Sequence, residues 1–346
     1  MGASLSCTED DGTPSDTSTD PPKDSFLGIP LYLVGILLSF VSCLATSYGT
    51  LIQKRAHALN GSSDKKAREW MGLILTPTWL FGLFIMVIMP LPMDFVAYSL
   101  APQSLLAPTG ALTIVSNALL APCLLSEKLS RPEAIATLII VSGVVLSTIA
   151  GDHADKSYTA CTLLELYTYN TFYLPVVFFS VTAYVGYLVR DKRELLGKWR
   201  PALIAYIGGA LGGLSNLFFK GTGELAFSGE ASTWATIHPY YHILLVAILA
   251  LLQMSHINIG IKEYEAVSFL PMYSCFYIVS VSIVGGIFFS EFSDFDAVQW
   301  IMFPVGVGVT LVGIIILTNA AKDNEPLLAK TAQTQMVLAR IKQPSP

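Results

Sequence analysis

Long apolar runs alternate along the chain with short polar stretches that hold most of the charged side chains. The runs approach the roughly 20 residues that an α-helix needs to cross the hydrocarbon core of a bilayer. They lack the segments of about 10 alternating residues that are typical of transmembrane β-barrels. The pattern therefore predicts an all-α integral membrane protein that crosses the lipid bilayer many times.

The runs predict about nine transmembrane helices, numbered here as spans one to nine. The second run is too long for one straight span, because residues 71–101 would form a helix of about 46 Å in a hydrocarbon core of about 30 Å. Pro77, Pro90 and Pro92 are expected to kink or break it, so it counts as one discontinuous span. The predicted spans are 31–52, a segment within 71–101, 104–125, 134–150, 171–189, 202–219, 242–261, 266–289 and 298–317.

Lysine and arginine predict the orientation, because cytoplasmic loops carry an excess of these residues. In the nine-span arrangement, seventeen of the twenty lysines and arginines fall in connections on one side of the membrane. Only Lys23, Lys156 and Lys220 fall elsewhere. The N-terminus is therefore expected outside the cell or in a lumen, and the C-terminus in the cytosol.

The segments outside the spans predict two tails. Residues 1–28 form an acidic tail rich in Ser, Thr, Asp and Pro, which is typical of disorder. Residues 29–320 form the transmembrane domain, and residues 321–346 a cytosolic tail. Gly2 fits an N-myristoylation pattern, which requires a cytosolic N-terminus and conflicts with the charge distribution. The stretch 323–328 resembles an acidic dileucine signal, so a plasma membrane or an endosomal, lysosomal or vacuolar membrane is expected.

Composition agrees with this class of protein and argues against others. Hydrophobic residues make up 53% of the chain and charged residues 13%, against about 25% charged in soluble domains. No HExxH motif, paired intramembrane aspartates or Ser/His dyad is present, so neither an enzyme nor a cofactor is expected. The five cysteines contain no CxxC pair, which argues against a disulfide framework or a zinc site. No basic face for a nucleic acid is visible.

The two halves of the chain share a motif. Span three holds Pro108 and ends at Glu127, 19 residues later, and span eight holds Pro271 and is followed by Glu291, 20 residues later. A span containing glycine follows each copy. The copies lie an odd number of spans apart, so they cross the membrane in opposite directions. Inverted repeats of this kind are a signature of secondary transporters.

The stretch 106–122, LAPTGALTIVSNALLAP, followed by SEKLS at 126–130, resembles the NIPA family of magnesium transporters in the drug/metabolite transporter superfamily. The resemblance covers roughly residues 31–318 and implies nine spans and transport of Mg²⁺ or another divalent cation, which is a substrate rather than a cofactor. Further matches lie at 53–56, 97–102, 220–221, 253–254 and 288–291. The family-motif residues are Pro108, Gly110, Asn117, Glu127, Pro271 and Glu291.

Asp94 is the main candidate for a metal ligand. The family has Gly-Glu-x-x-Asn-Phe in the second span, whereas this chain has Pro-Leu-Pro-Met-Asp-Phe at 90–95, which indicates a different cation site or altered selectivity. A buried carboxylate costs about 2.5–3.5 kcal/mol in a membrane and is a functional candidate for that reason. A carboxylate, freed carbonyls and retained water suit Mg²⁺. The alternative is that Asp94 is exposed to water at the outer membrane edge.

Other polar residues inside the spans are candidates for the transport path. Amide side chains offer oxygen ligands, but interhelical hydrogen bonds worth about 0.6 kcal/mol are the alternative explanation. Lys220 and Glu224 lie one helical turn apart, so their side chains can face each other. The alternatives for this pair are a structural ion pair, a gate or a coupling group. Glu127 and Glu291 suggest helix-terminus roles or a conformational latch. The transport-path candidates are Asp94, Asn117, Asn216, Lys220, Glu224, Gln253 and Asn258.

The sequence therefore predicts a secondary carrier or channel-like permease for Mg²⁺ that works by alternating access between two inverted repeats. The alternative is a carrier of a small organic solute, as elsewhere in the superfamily. The low number of intramembrane carboxylates favours this alternative, and the family resemblance opposes it.

Overall fold

The computed structural model of the protein describes residues 25–26, 29–60, 77–125, 130–153, 158, 160–227, 234, 237–264 and 266–342. These residues are almost entirely helical, which confirms the all-α fold class. The exception is a short antiparallel pair of strands, β1 (Ser25–Phe26) and β2 (Ile29–Pro30), just before the first span. Residues 1–24, which include Gly2, and Glu127 lie outside the described residues.

The first half of the chain contains six α-helices. They are α1 (Leu31–Asn60), α2 (Pro77–Leu83), α3 (Pro90–Leu100), α4 (Gln103–Thr109), α5 (Leu112–Leu125) and α6 (Arg131–Ala150). The second half adds α7 (Ala160–Leu166), α8 (Asn170–Val189), α9 (Arg193–Leu196), α10 (Arg200–Phe227), α11 (His238–Glu263), α12 (Ala266–Phe288) and α13 (Gln299–Lys342). The last helix therefore continues well past the predicted end of the transmembrane domain at residue 320.

Within the described part of the chain, eight helical segments are long and apolar enough to cross a membrane. They correspond to every predicted span except the third. Span three is present as residues 103–125, but it is broken into α4 and α5 at Gly110 and Ala111, so neither piece is long enough alone. With this broken segment, the described residues contain nine apolar segments, the number of spans that the sequence predicts.

The second apolar run forms one span, as predicted, but this span is continuous rather than broken. A π-helical turn (Phe84–Ile88) joins α2 to α3, and the amide of Met89 donates to the carbonyl of Phe84 at 3.0 Å. The stack from Pro77 to Leu100 therefore counts as one continuous span. Pro90 is tolerated because it occupies the start of α3, where a missing N–H costs little.

The first helix of each half packs against the next two spans of the same half. Helix α1 packs against the α2–α3 stack and against α5, and α10 packs in the same way against α11 and α12. Helix α10 is the most buried span and also contacts α3 and α8. The outward faces are apolar, as a bilayer requires: Leu138 is 69% exposed and Leu251 is 73% exposed.

The glycine-bearing helices α6 and α13 pack directly on each other. A Cβ atom added at Gly143 would lie 2.5 Å from the backbone nitrogen of Thr310. The close approach of the two backbones therefore requires glycine at this position, as it does in other membrane helix pairs.

The cysteines depart from the sequence-based expectation. Cys43, Cys123 and Cys275 are free thiols, whereas Cys161 is disulfide-bonded. The absence of a CxxC motif led the prediction away from this bond. Disulfide bonds persist in oxidising compartments. The position of Cys161 in α7, between α6 and α8, therefore bears on which side of the membrane this connection faces.

Candidate functional site

A cavity of about 490 Å³ lies between the two halves of the bundle, where α1, α3, α4, α5, α10, α11 and α12 meet. Polar side chains from six of these helices face it. They include Ser42, Asp94, Asn216, Gln253, Tyr273 and Tyr277. Three of the residues predicted for the transport path, Asp94, Asn216 and Gln253, are therefore brought together from three different spans.

Asp94 supplies the one carboxylate among the described residues that line the cavity. Its side chain is half-buried, and the side chain of Ser42 of α1 lies beside it. Asp94 therefore lies on the cavity wall, between helices of both halves.

The break in span three forms part of the cavity wall. Ala107 and Gly110 line the cavity, and bonds between residues three apart replace helical bonds around the break, such as that from Gly110 N to the Ala107 carbonyl at 3.3 Å. The hydroxyl of Thr109 donates to the carbonyl of Leu106 at 2.6 Å. Freed backbone therefore lies on the cavity wall in span three, in addition to the part of span two where Pro90 and Pro92 have no N–H to donate.

One face of α1 stabilises this break. Ser39 shares a hydrogen bond of 2.9 Å with the hydroxyl of Thr109, and the thiol of Cys43 donates to the Thr109 carbonyl at 3.6 Å. One turn further, the hydroxyl of Ser47 donates to the Thr113 carbonyl at 2.8 Å. Broken helices are tolerated at membrane depth when neighbouring helices satisfy the backbone in this way.

The amide side chains in the cavity donate to tyrosines. Asn216 Nδ2 donates to the hydroxyl of Tyr277 at 2.5 Å, and Gln253 Nε2 donates to the hydroxyl of Tyr273. Tyr277 also forms a hydrogen bond with Tyr98. Because the amide nitrogens point at tyrosines, the amide oxygens are the atoms that these side chains can offer to a cation or to its water shell.

The predicted pairing of Lys220 with Glu224 does not form. The Lys220 ammonium lies 3.1 Å from a carboxylate oxygen of Glu291 and 3.3 Å from the carbonyl of Ala101. Glu224 is also buried, and it accepts a hydrogen bond from the backbone amide of Tyr158. The lysine prefers the distant partner because Glu291 approaches it from the end of α12, whereas Glu224 turns towards the α6–α8 connection.

Like Lys220 and Glu224, two further predicted path residues do not line the cavity. Asn258 follows Gln253 by five residues, which turns its side chain about 140° away on the helix, and it is exposed. Asn117 is half-buried one turn beyond Thr113, and its side-chain oxygen makes no hydrogen bond among the described residues. Pro271 lies inside α12.

The site also contains residues that no sequence pattern singles out. Tyr98, Tyr273 and Tyr277 face the cavity, but tyrosine in an apolar span gives no signal of its own. Ser39, Cys43 and Ser47 recur every four residues along α1, and this spacing places them on one helix face. That pattern could have indicated a polar face of α1. In the described part of the chain, no group of three or more His, Cys, Asp and Glu side chains is placed to hold a metal ion.

Comparison with known proteins identifies the family. The family described as "Magnesium transporter NIPA" matches residues 31–324. The chain is 27% identical to "Probable magnesium transporter NIPA8" of Arabidopsis thaliana over 86% of this chain and 73% of that one. It is 25% identical to a "Probable magnesium transporter" of Candida albicans over 85% and 80% of the two chains. It is 23% identical to "NIPA-like protein 2" of Homo sapiens over 85% and 76%.

No solved structure matches the chain. The family match covers all the described spans, including the residues that form the cavity and the break in span three. The chain belongs to the NIPA family of magnesium transporters.

Proposed function

We propose that this protein carries Mg²⁺ across a membrane through the cavity beside Asp94, and that the ion keeps most of its water shell. The observation that carries the proposal is the composition of the cavity wall, which combines one carboxylate with hydroxyl and amide groups from several spans. Mg²⁺ gives up water reluctantly and is often bound through one or two carboxylates and retained waters. Membership of a magnesium transporter family supports this choice of ion.

The size of the cavity supports a hydrated ion. Six water molecules at about 30 Å³ each occupy roughly 180 Å³, and the cavity measures about 490 Å³. Direct binding would instead need a near-octahedral set of ligands at about 2.0–2.1 Å. The hydroxyl and amide groups on the wall are suited to hydrogen bonds with the water shell, while Asp94 supplies the negative charge.

Transport proceeds by alternating access between two inverted repeats, α1–α6 and α10–α13, with α8 between them. The matched packing of α1 and α10 against their neighbours supports this arrangement. The cavity lies between the repeats, since it takes lining residues from both halves. A site between repeats is exposed to one side or the other as the repeats rock.

The protein is oriented with its N-terminus outside or in a lumen and its C-terminus in the cytosol. The lysine and arginine distribution supports this orientation. The disulfide-bonded Cys161 agrees with it, because this residue lies in the connection that this orientation places on the oxidising side. The C-terminal stretch 323–328 lies on the cytosolic part of α13, where an endosomal, lysosomal or vacuolar sorting signal would be read.

The alternative substrate is a small organic solute. The tyrosines of the wall, together with a single carboxylate, are the observation that favours it. Aromatic side chains and a few polar groups are typical of pockets for organic ligands.

Purified protein in proteoliposomes separates the two substrates. Liposomes loaded with a magnesium-sensitive dye are expected to take up Mg²⁺ down an imposed gradient, and empty liposomes are the control. Absence of Mg²⁺ uptake in vesicles that exchange an organic solute would contradict the magnesium proposal.

A further inference from the structure

Glu291 connects the end of span eight to the start of span three. Ser290 adopts a positive φ of 52° where α12 ends, and the amide of Glu291 donates back to the Gly286 carbonyl at 2.9 Å. This turn directs the Glu291 side chain at the first turn of α4. Its two carboxylate oxygens accept hydrogen bonds from the backbone amides of Gln103 at 2.6 Å and Ser104 at 2.7 Å.

Lys220 adds two further helices to this junction. Its ammonium lies 3.1 Å from Glu291 and donates to the carbonyl of Ala101, which follows α3. It also lies 4.5 Å from the centre of the Phe289 ring. Lys220 is only 4% exposed and Glu291 only 2%, so the pair joins α3, α4, α10 and the end of α12 away from solvent.

The pair lies directly beside one end of the cavity. Phe219, next to Lys220 in the chain, and Tyr98, one turn before Ala101, both line the cavity. Their rings are 5.8 Å apart in an edge-to-face contact. On the other side of the pair, the hydroxyl of Tyr158 donates to the Phe289 carbonyl at 2.6 Å. The pair therefore separates the cavity from the α6–α8 connection.

We propose that the Lys220–Glu291 pair is the outer gate of the transport path, an inference that rests on the proposed transport function. In the described conformation the pair closes the cavity on the side of the disulfide-bonded connection. Outward opening requires Glu291 to release the start of α4 and Lys220 to leave Ala101. Water that enters through the opening hydrates both charges, so separation of the pair is tolerable only in the open state.

The proposed gate predicts how readily a reagent reaches the cavity from the outer face, and this can be measured without ion flux. Cys43 is a free thiol on the cavity wall, and it serves as a reporter in a background with Cys123→Ser and Cys275→Ser. Its reaction with a charged, membrane-impermeant methanethiosulfonate is measured from the outer face of intact cells. The same measurement on Cys43→Ser gives the labelling that other thiols contribute.

Lys220→Met and Glu291→Gln are expected to increase the outer labelling rate of Cys43 at least tenfold, because each removes the pair. Lys220→Arg, which can keep the pair, is expected to stay near the parent rate. The matched control is Glu263→Gln, which removes the partner of Arg200 at the opposite end of α10. It is expected to leave outer labelling unchanged.

Unchanged outer labelling in both gate variants would overturn the proposal, and so would an increase seen only from the cytosolic face. If one variant fails to give a monodisperse protein in detergent, the other decides the question. Mg²⁺ flux is measured separately. Increased labelling in a protein that does not carry Mg²⁺ would support the gate and contradict the substrate, so the two failures are distinguishable.

Discussion

The side chain of Ser42 on α1 lies beside the carboxylate of Asp94 on α3. Both residues line the cavity. The hydroxyl is therefore placed to donate to the one carboxylate on the described cavity wall. Hydrogen bonds to charged groups contribute about 1.5–3 kcal/mol, so this contact is large enough to affect how a cation binds.

Ser42→Ala is expected to weaken the apparent affinity for Mg²⁺ about tenfold, which corresponds to about 1.4 kcal/mol. The reason is that Asp94 loses the group that orients it, while its charge remains. The concentration dependence of Mg²⁺ uptake measures this effect. Ser255→Ala is the control, because Ser255 is exposed and its hydroxyl bonds within α11, to the Leu252 carbonyl and to the neighbouring His256. Equal affinities in the two variants would argue against the role of Ser42.

A hydrated ion in the cavity has a stable mimic. Cobalt(III) hexaammine does not exchange its ligands and resembles Mg²⁺ with six waters in size and shape. It is expected to inhibit Mg²⁺ uptake competitively in wild-type vesicles, since the wall binds the shell rather than the bare metal. Uptake that is insensitive to the complex at concentrations well above those of Mg²⁺ would indicate that the ion is dehydrated in the cavity.

The amides on α10 and α11 provide a matched pair of substitutions. Asn216 lines the cavity, whereas Asn258 is exposed on the outer face of its helix. Asn216→Leu is expected to reduce Mg²⁺ uptake at least tenfold, because it removes an amide from the wall and leaves Tyr277 without that donor. Asn258→Leu is expected to stay within twofold of wild type. Proteoliposome uptake at matched protein density compares the two.

The contact between α6 and α13 predicts that alanine destabilises the protein at Gly143 but not at Gly308. Gly143→Ala places a Cβ atom 2.5 Å from the Thr310 backbone nitrogen, so the helices must separate. Overpacking of this kind costs about 1–3 kcal/mol. Gly308 has no atom within 4 Å of an added Cβ, so Gly308→Ala is expected to be neutral. Thermal unfolding in detergent is the measurement, and equal midpoints would contradict the packing.

Much of the fold could be predicted from the sequence, because bilayer thickness sets the length of each apolar run. The number of crossings and the single second span follow from this constraint. The location of the backbone break does not, because it depends on hydrogen bonds between spans. Pro90 lies at a helix start where it disturbs little, whereas Thr109 and its α1 partners stabilise the interruption after Pro108.

The candidate site could be predicted only in part for the same reason. Asp94, Asn216 and Gln253 were selected as polar groups at membrane depth, and they face one cavity. The pairing of Lys220 was predicted within its own helix, where spacing along the chain is visible. Its partner Glu291 lies 71 positions away in the sequence, and only the packing of α10 against the end of α12 brings the two together.

Mg²⁺ uptake by purified Asp94→Asn in proteoliposomes tests the central claim most directly. Asparagine keeps the shape of the side chain but removes the one charge on the described cavity wall. Asp191→Asn is the control, since the Asp191 side chain is 76% exposed at the other end of the bundle. The account predicts that Asp94→Asn loses at least nine-tenths of the wild-type rate while Asp191→Asn retains it. A wild-type rate in Asp94→Asn would contradict the account.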